Sequence, residues 1–216
     1  MSIAEKLLLI GENQKKVYDA GYAAGKKNDQ SDALAYATII RFQRTAFPEG
    51  YELELRCNNL TELPLFTQST GIRKITLVVP LNRSYTATNV CYACESVEEL
   101  VLPDGITIST SNYMCTNAYN LRIIEGALNL TGNTNTNMWS GCRNLEQIRF
   151  VAGTINTALD FAKCGKLSDA SVASLVSGLA DRTGATRLTL QLHPDVAAKL
   201  TDEQKAEIAS KNWAIS

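Results

Sequence analysis

Five apolar residues recur at almost even intervals in the middle of this chain: Ile72, Val97, Leu121, Leu145 and Leu167, spaced 25, 24, 24 and 22 residues apart. Three residues after the first four stand Ile75, Leu100, Ile124 and Ile148. Seven before them stand Leu65, Val90, Met114 and Met138. Nine after them the column reads Leu81, Ile106, Leu130 and Thr154, with Ile155 beside the last. Four aligned apolar columns restrict the chain to architectures in which one supersecondary unit stacks on the next.

A period of ~20–29 residues with this pattern is the signature of a leucine-rich solenoid. The stretch LELRCNNLTELP fits the ordinary leucine-rich phrase through Leu53, Leu55, Asn58, Leu60, Leu63 and Pro64. The leucines there would point inward from a strand, and the asparagine would bond backbone at the turn. The expected fold is therefore an α/β repeat: a leucine-rich repeat solenoid of ~24-residue period, with an N-terminal heptad helix and an α/β C-terminal cap.

Four segments are expected. Residues 1–28 read as a helix with a heptad seam of Ile3, Leu7, Ile10, Gln14, Val17, Gly21 and Ala24. That seam is an oligomerisation stem, through Ile3, Leu7, Ile10, Gln14 and Val17, or else an amphipathic cap over the first repeat; the stem is the preferred reading, giving a dimer or trimer. Residues 29–50 form a linker and a helical cap, with Ser31 or Asp32 starting a helix that runs to about Arg44. Residues 51–166 hold the repeats. Residues 167–216 hold α/β repeats and a cap, with a helix after Ser168, a strand over Thr186–Leu192, a capping box in TDEQ (Thr201–Gln204) and a last strand at Trp213 and Ile215. The TGNTNTN run at Thr131–Asn137 reads as a solvated loop, or as stacked Asn and Thr ladders.

Of the 216 residues, 45% are hydrophobic and 20% charged, as in ordinary globular proteins. The net charge of −1 advertises neither nucleic acid nor an acidic membrane as a partner. The longest apolar run near the start, Leu7–Ile10, is too short for a signal-peptide core, and no stretch approaches a bilayer span. Synthesis in the cytoplasm without a signal peptide is expected.

Five of the six cysteines keep repeat positions, and Cys57 lies ahead of the first anchor. Cys94, Cys142 and Cys164 lie three residues before an anchor, and Cys91 and Cys115 lie six before one. Cys91–Cys94 is a CxxC, which elsewhere is half a zinc site or a redox pair. There is no second CxxC, and the single histidine, His193, is distant in sequence, so packing explains these thiols better. One histidine also leaves no basis for a Ser–His–Asp triad, and no phosphate-loop, HExxH or dinucleotide motif is present. No catalytic residue, metal ligand or cofactor is expected.

Binding remains. With the anchors inward, Thr76, Val101, Glu125 and Arg149 are the outward strand positions. Tyr119 and Trp139 belong to a set with Tyr85, Tyr92 and Tyr113 that is either a glycan- or protein-binding platform or core filling. The candidate binding residues are thus Thr76, Val101, Glu125, Arg149, Tyr119 and Trp139.

WSGCRNLEQIRF (Trp139–Phe150) and YACESVEELVL (Tyr92–Leu102) resemble the BspA-type leucine-rich repeat family. The opening IAEKLLLIGENQKKVYDAGYAAGKK and the ending from LSDASVASLVSGLADRTGATRLTL to LTDEQKAEIASKNWAIS are similar to proteins encoded by phages and prophages of Gram-positive gut bacteria. The resemblance implies a non-enzymatic virion component, such as a tail, fibre, baseplate or capsid accessory. It implies host-surface protein, glycan or other virion proteins as partners. The alternative is a bacterial cell-surface adhesin or interaction module.

Overall fold

The computed structural model describes residues 37–45, 50–57, 61–66, 71–134 and 137–216. Strand β1 (Ala37–Thr45) runs antiparallel to β2 (Gly50–Cys57), pairing Ala37 with Cys57 and Thr45 with Gly50. Parallel neighbours then follow: β3 (Ile72–Val78), β5 (Glu99–Val101), β7 (Ile123–Thr134) and β8 (Gln147–Phe150). Their register sets Ile75 against Leu100 and Leu100 against Ile124. In a second row β4 (Ser84–Thr86) pairs parallel with β6 (Ile106–Thr110), and β6 pairs parallel with the far half of β7. All eight strands form one sheet, which bends where β7 passes from the first row to the second.

The bend falls at Gly126. Its φ is +92°, and a Cβ there would lie 2.1 Å from the Leu102 carbonyl oxygen. Only a residue without a side chain permits both that conformation and that approach. The sheet therefore curls into a half-barrel around the inward side chains, with Ile75, Leu100, Ile124 and Ile148 almost fully buried. The third side is closed by stacked corners. Asn89, Tyr113 and Asn137 adopt φ of 58°, 55° and 51°, and four residues later Ala93, Asn117 and Gly141 adopt 53°, 62° and 85°. Two left-handed residues per corner turn the chain tightly enough for the Cys91 amide to donate to Met114 O at 2.7 Å and the Cys115 amide to Met138 O at 2.9 Å.

Among the described residues the helices come only after residue 168: α1 (Asp169–Gly178), α2 (Pro194–Ala197) and α3 (Asp202–Ser210). Ser168 caps α1, and Thr201 and Gln204 form the reciprocal capping box of α3. They flank a small parallel sheet of β9 (Leu159–Phe161), β10 (Leu188–Leu192) and β11 (Trp213–Ile215), ordered β11-β10-β9.

This architecture corrects the expected one. Over the described residues the chain is a curled, half-barrel sheet of mostly parallel strands with few helices, an α/β arrangement, and not a leucine-rich repeat solenoid; the heptad helix expected over residues 1–28 lies outside the described residues. The spacing of 24–25 residues is the step from one parallel strand to the next. The limb between successive inner strands is itself extended and hydrogen-bonded into the same sheet, because ITIST and ALNLT alternate with the period of a strand.

Three local expectations also change. The described part of the segment read as a helix to Arg44, from Ala37 onward, is β1, because the edge of β2 offers backbone partners and Ile39, Ile40 and Phe42 suit a strand. The run from Thr131 continues β7 as far as Thr134. Leu81, assigned to an apolar column, is 53% exposed. The heptad positions Ile3, Leu7, Ile10, Gln14 and Val17, and the cap at Ser31 or Asp32, lie outside the described residues.

Candidate functional site

The outer face of the first strand row is the surface to which the fold gives most order. From Lys74 along β3, and along β5, the side chains alternate inward and outward, as a pleated strand requires. Register places Thr76 beside Val101 and Val101 beside Glu125, so three of the predicted residues form one cross-strand column. Arg149 does not complete it. The slip between Ile123 and Ala127 sets Arg149 opposite Ala127, and its guanidinium lies 2.9 Å from Asp104 Oδ1. The same Asp104 oxygen accepts from the Ala127 amide at 2.8 Å.

A charged column flanks this face at the residue after each of the first four anchors. It reads Arg73, Glu98, Arg122, Glu146, alternating in sign. Arg73 pairs with Glu98 at 3.2 Å, and Arg122 with Glu146 at 3.1 Å. In the next column Lys74 meets Glu99 at 2.9 Å. The hydrogen bond to Glu99 raises the Lys74 pKa. The bond between Arg122 and Glu146 raises the guanidinium and lowers the carboxylate. These pairs lie partly exposed at the surface, where solvent screens them, so each contributes under about 1 kcal/mol. Their effect is to fix where charge sits on the face. The alternation was legible in the sequence at constant spacing, yet the sequence reading passed over it.

The aromatic candidates separate. Tyr119 is half-buried at a corner, with the Arg143 guanidinium 4.8 Å from its ring centroid. Asn144 Nδ2 donates to the Tyr119 carbonyl at 2.8 Å, and Asn120 Nδ2 to the Glu95 carbonyl at 2.6 Å. Trp139 is 0% exposed, which corrects its placement on a binding platform. It stacks on Phe161 with centroids 4.6 Å apart and meets Phe150 edge-on at 5.8 Å. Tyr85 is likewise buried, its hydroxyl donating to Pro80 O at 2.6 Å, whereas Tyr113 is exposed. Sequence spacing places each ring on a corner but does not say on which side of the backbone it falls.

The second strand row presents hydroxyls and amides instead of charges. Register aligns Ser84 with Thr107 and Thr107 with Asn129, and Asn129 Nδ2 donates to Thr107 Oγ1 at 3.2 Å.

All six cysteines are buried and none is joined in a disulfide. Burial pushes the Cys57 thiol up to about 11 and the Cys164 thiol to about 12, so both are neutral at physiological pH. Among the described residues no group of three or more His, Cys, Asp and Glu has an arrangement that could hold a metal ion. No described helix is long and apolar enough to cross a membrane. The chain matches no family model, no curated protein and no solved structure.

Proposed function

We propose that this chain is a non-enzymatic binding component of a phage particle, a tail, fibre, baseplate or capsid accessory, that engages a host-surface or virion partner through the outer face of its curled sheet. The observation that carries this reading is the column Thr76–Val101–Glu125, bordered by the Arg73–Glu98, Arg122–Glu146 and Lys74–Glu99 pairs. Hydrogen-bonded strands hold these side chains at fixed spacing, which lowers the ordering cost of recognition. The resemblance of both chain ends to phage-encoded proteins supports the setting.

The test has two parts. Particles purified from a lysogen that carries the gene are analysed by mass spectrometry and by antibody labelling in electron micrographs. The chain is expected to co-purify at a constant ratio to the capsid protein and to label one site. Washing away to background would sink the virion assignment. Binding of the purified chain to host cells is then compared with Val101→Glu and Glu125→Arg variants. At least a tenfold loss is expected if this face makes the contact. Unchanged binding moves the contact elsewhere.

A further inference from the structure

Strand β8 ends its sheet. It pairs with β7 on one side, and among the described residues no strand follows on the other. Such an edge presents unpaired amides and carbonyls, a template for another strand. Here α1 lies along it, and the contact is made by serine hydroxyls. The Ile148 amide donates to Ser171 Oγ at 3.0 Å, and the Phe150 amide donates to Ser174 Oγ at 2.9 Å. The hydroxyls donate in turn, Ser171 to the Glu146 carbonyl at 3.1 Å and Ser174 to the Phe150 carbonyl at 3.5 Å. A hydroxyl is both donor and acceptor on one atom, so one serine satisfies an amide and a carbonyl together.

The rest of α1 fits this role. Its remaining buried face is apolar, with Val172, Leu175 and Val176 in the core. Lys199 Nζ donates to the Leu167 carbonyl at 2.6 Å before the helix, and Lys211 Nζ donates to the Val176 carbonyl at 3.0 Å near its end. Backbone pairing resumes just beyond, where the Ile155 amide donates to Gly178 O at 2.8 Å and the Ala180 amide to Ile155 O at 2.9 Å. The serines thus occupy only the stretch where a helix stands in place of a strand.

We infer that Ser171 and Ser174 are an edge lock: they take the hydrogen bonds a further strand would make and so block association of β8 with β8 of a second copy of this chain. That pairing is isologous, since each copy presents the same edge to the other.

The test uses the full chain and three single substitutions, Ser171→Ala, Ser174→Ala and, as a control on the same helix, Ser177→Ala. Amide hydrogen exchange is read at Ile148 and Phe150, with Ile75 and Leu100 as internal references. Ser171→Ala is expected to speed exchange at Ile148, and Ser174→Ala at Phe150, each by roughly tenfold. The reference amides and the Ser177→Ala protein should be unchanged. If Ser171→Ala unfolds the chain, Ser174→Ala still reports through Phe150, because Ser174 is less buried. The double variant is then compared with the unaltered chain by light scattering across a concentration series. A species twice the mass of the unaltered one is expected at high concentration. Equal exchange at Ile148 and Phe150 in all proteins, or equal mass at every concentration, overturns the lock.

Discussion

The Cys142 thiol donates to the Cys115 carbonyl oxygen across 3.0 Å, tying one corner of the half-barrel to the corner before it. The arrangement repeats. Cys94 donates to Phe66 O, and Cys164 to Trp139 O at 3.7 Å. In each case a thiol three residues before an anchor meets the carbonyl six residues before the preceding anchor. Ala118 holds that position in the remaining copy and has no side-chain donor. The cysteines act as small buried residues with a weak donor, a combination that alanine and valine lack.

The thiols should make the fold sensitive to alkali. Burial raises Cys57 from 9.0 to about 11 and Cys164 from 9.0 to about 12. The unfolded chain releases these protons from about pH 9 upward while the folded chain keeps them, so stability is intact below that range and falls as pH climbs toward the folded values. The expected loss is about 1 kcal/mol per pH unit per thiol, read from urea midpoints between pH 8 and 11. Cys164→Ala should flatten the slope, and an unchanged slope would count against thiol burial as its cause.

Leu145→Ala should cost ~2–5 kcal/mol, since the residue is 0% exposed and truncation leaves a cavity among stacked strands. Leu81→Ala should cost under about 0.5 kcal/mol despite its place in the same periodic pattern, because Leu81 is 53% exposed. Denaturant unfolding of both variants checks the contrast, and comparable losses would contradict the burial described here.

Backbone geometry predicts changes of opposite sign. Ala93 holds φ of 53°, a conformation that costs an L-residue ~1–2 kcal/mol. Ala93→Gly should therefore stabilise the protein by about 0.5–1 kcal/mol, after the entropy that glycine adds to the unfolded chain. Gly126→Ala should destabilise it by about 3 kcal/mol or more, because the new Cβ would sit 2.1 Å from Leu102 O. Thermal unfolding of the two variants should move in opposite directions.

The charged column predicts a salt-dependent defect. Glu98→Arg would leave three cations in succession at positions 73, 98 and 122, one after each of three successive anchors. A loss of about 1 kcal/mol is expected at low ionic strength, shrinking in high salt as the repulsion is screened. A defect of the same size at all salt concentrations would point to packing instead of charge.

Much of the inner architecture was legible in the chain. Apolar spacing picks out Ile75, Leu100, Ile124 and Ile148 as inward residues because parallel strands repeat at a constant step and each inward position meets the one above it. Ser168, Thr201 and Gln204 announce their caps because capping is a local hydrogen-bonding event within four residues. The alternating Arg73–Glu98–Arg122–Glu146 column was equally available, since it uses the same step.

What only the tertiary structure decided depends on partners far apart in sequence. Residues 37–45 carry a helix-compatible pattern, yet they become β1 because β2 offers an edge. Trp139 becomes core because Phe150 and Phe161 converge on it. Arg149 leaves the column of Glu125 because the bend at Gly126 slips the register and brings Asp104 within reach. The sequence by itself determined the period, the inward residues and the local caps, since these follow from neighbours along the chain or from one repeated step. The tertiary structure decided the class of the fold, the curl of the sheet and the sides on which the aromatics fall, because these are set by backbone pairing and packing between segments whose order in the chain does not specify their approach.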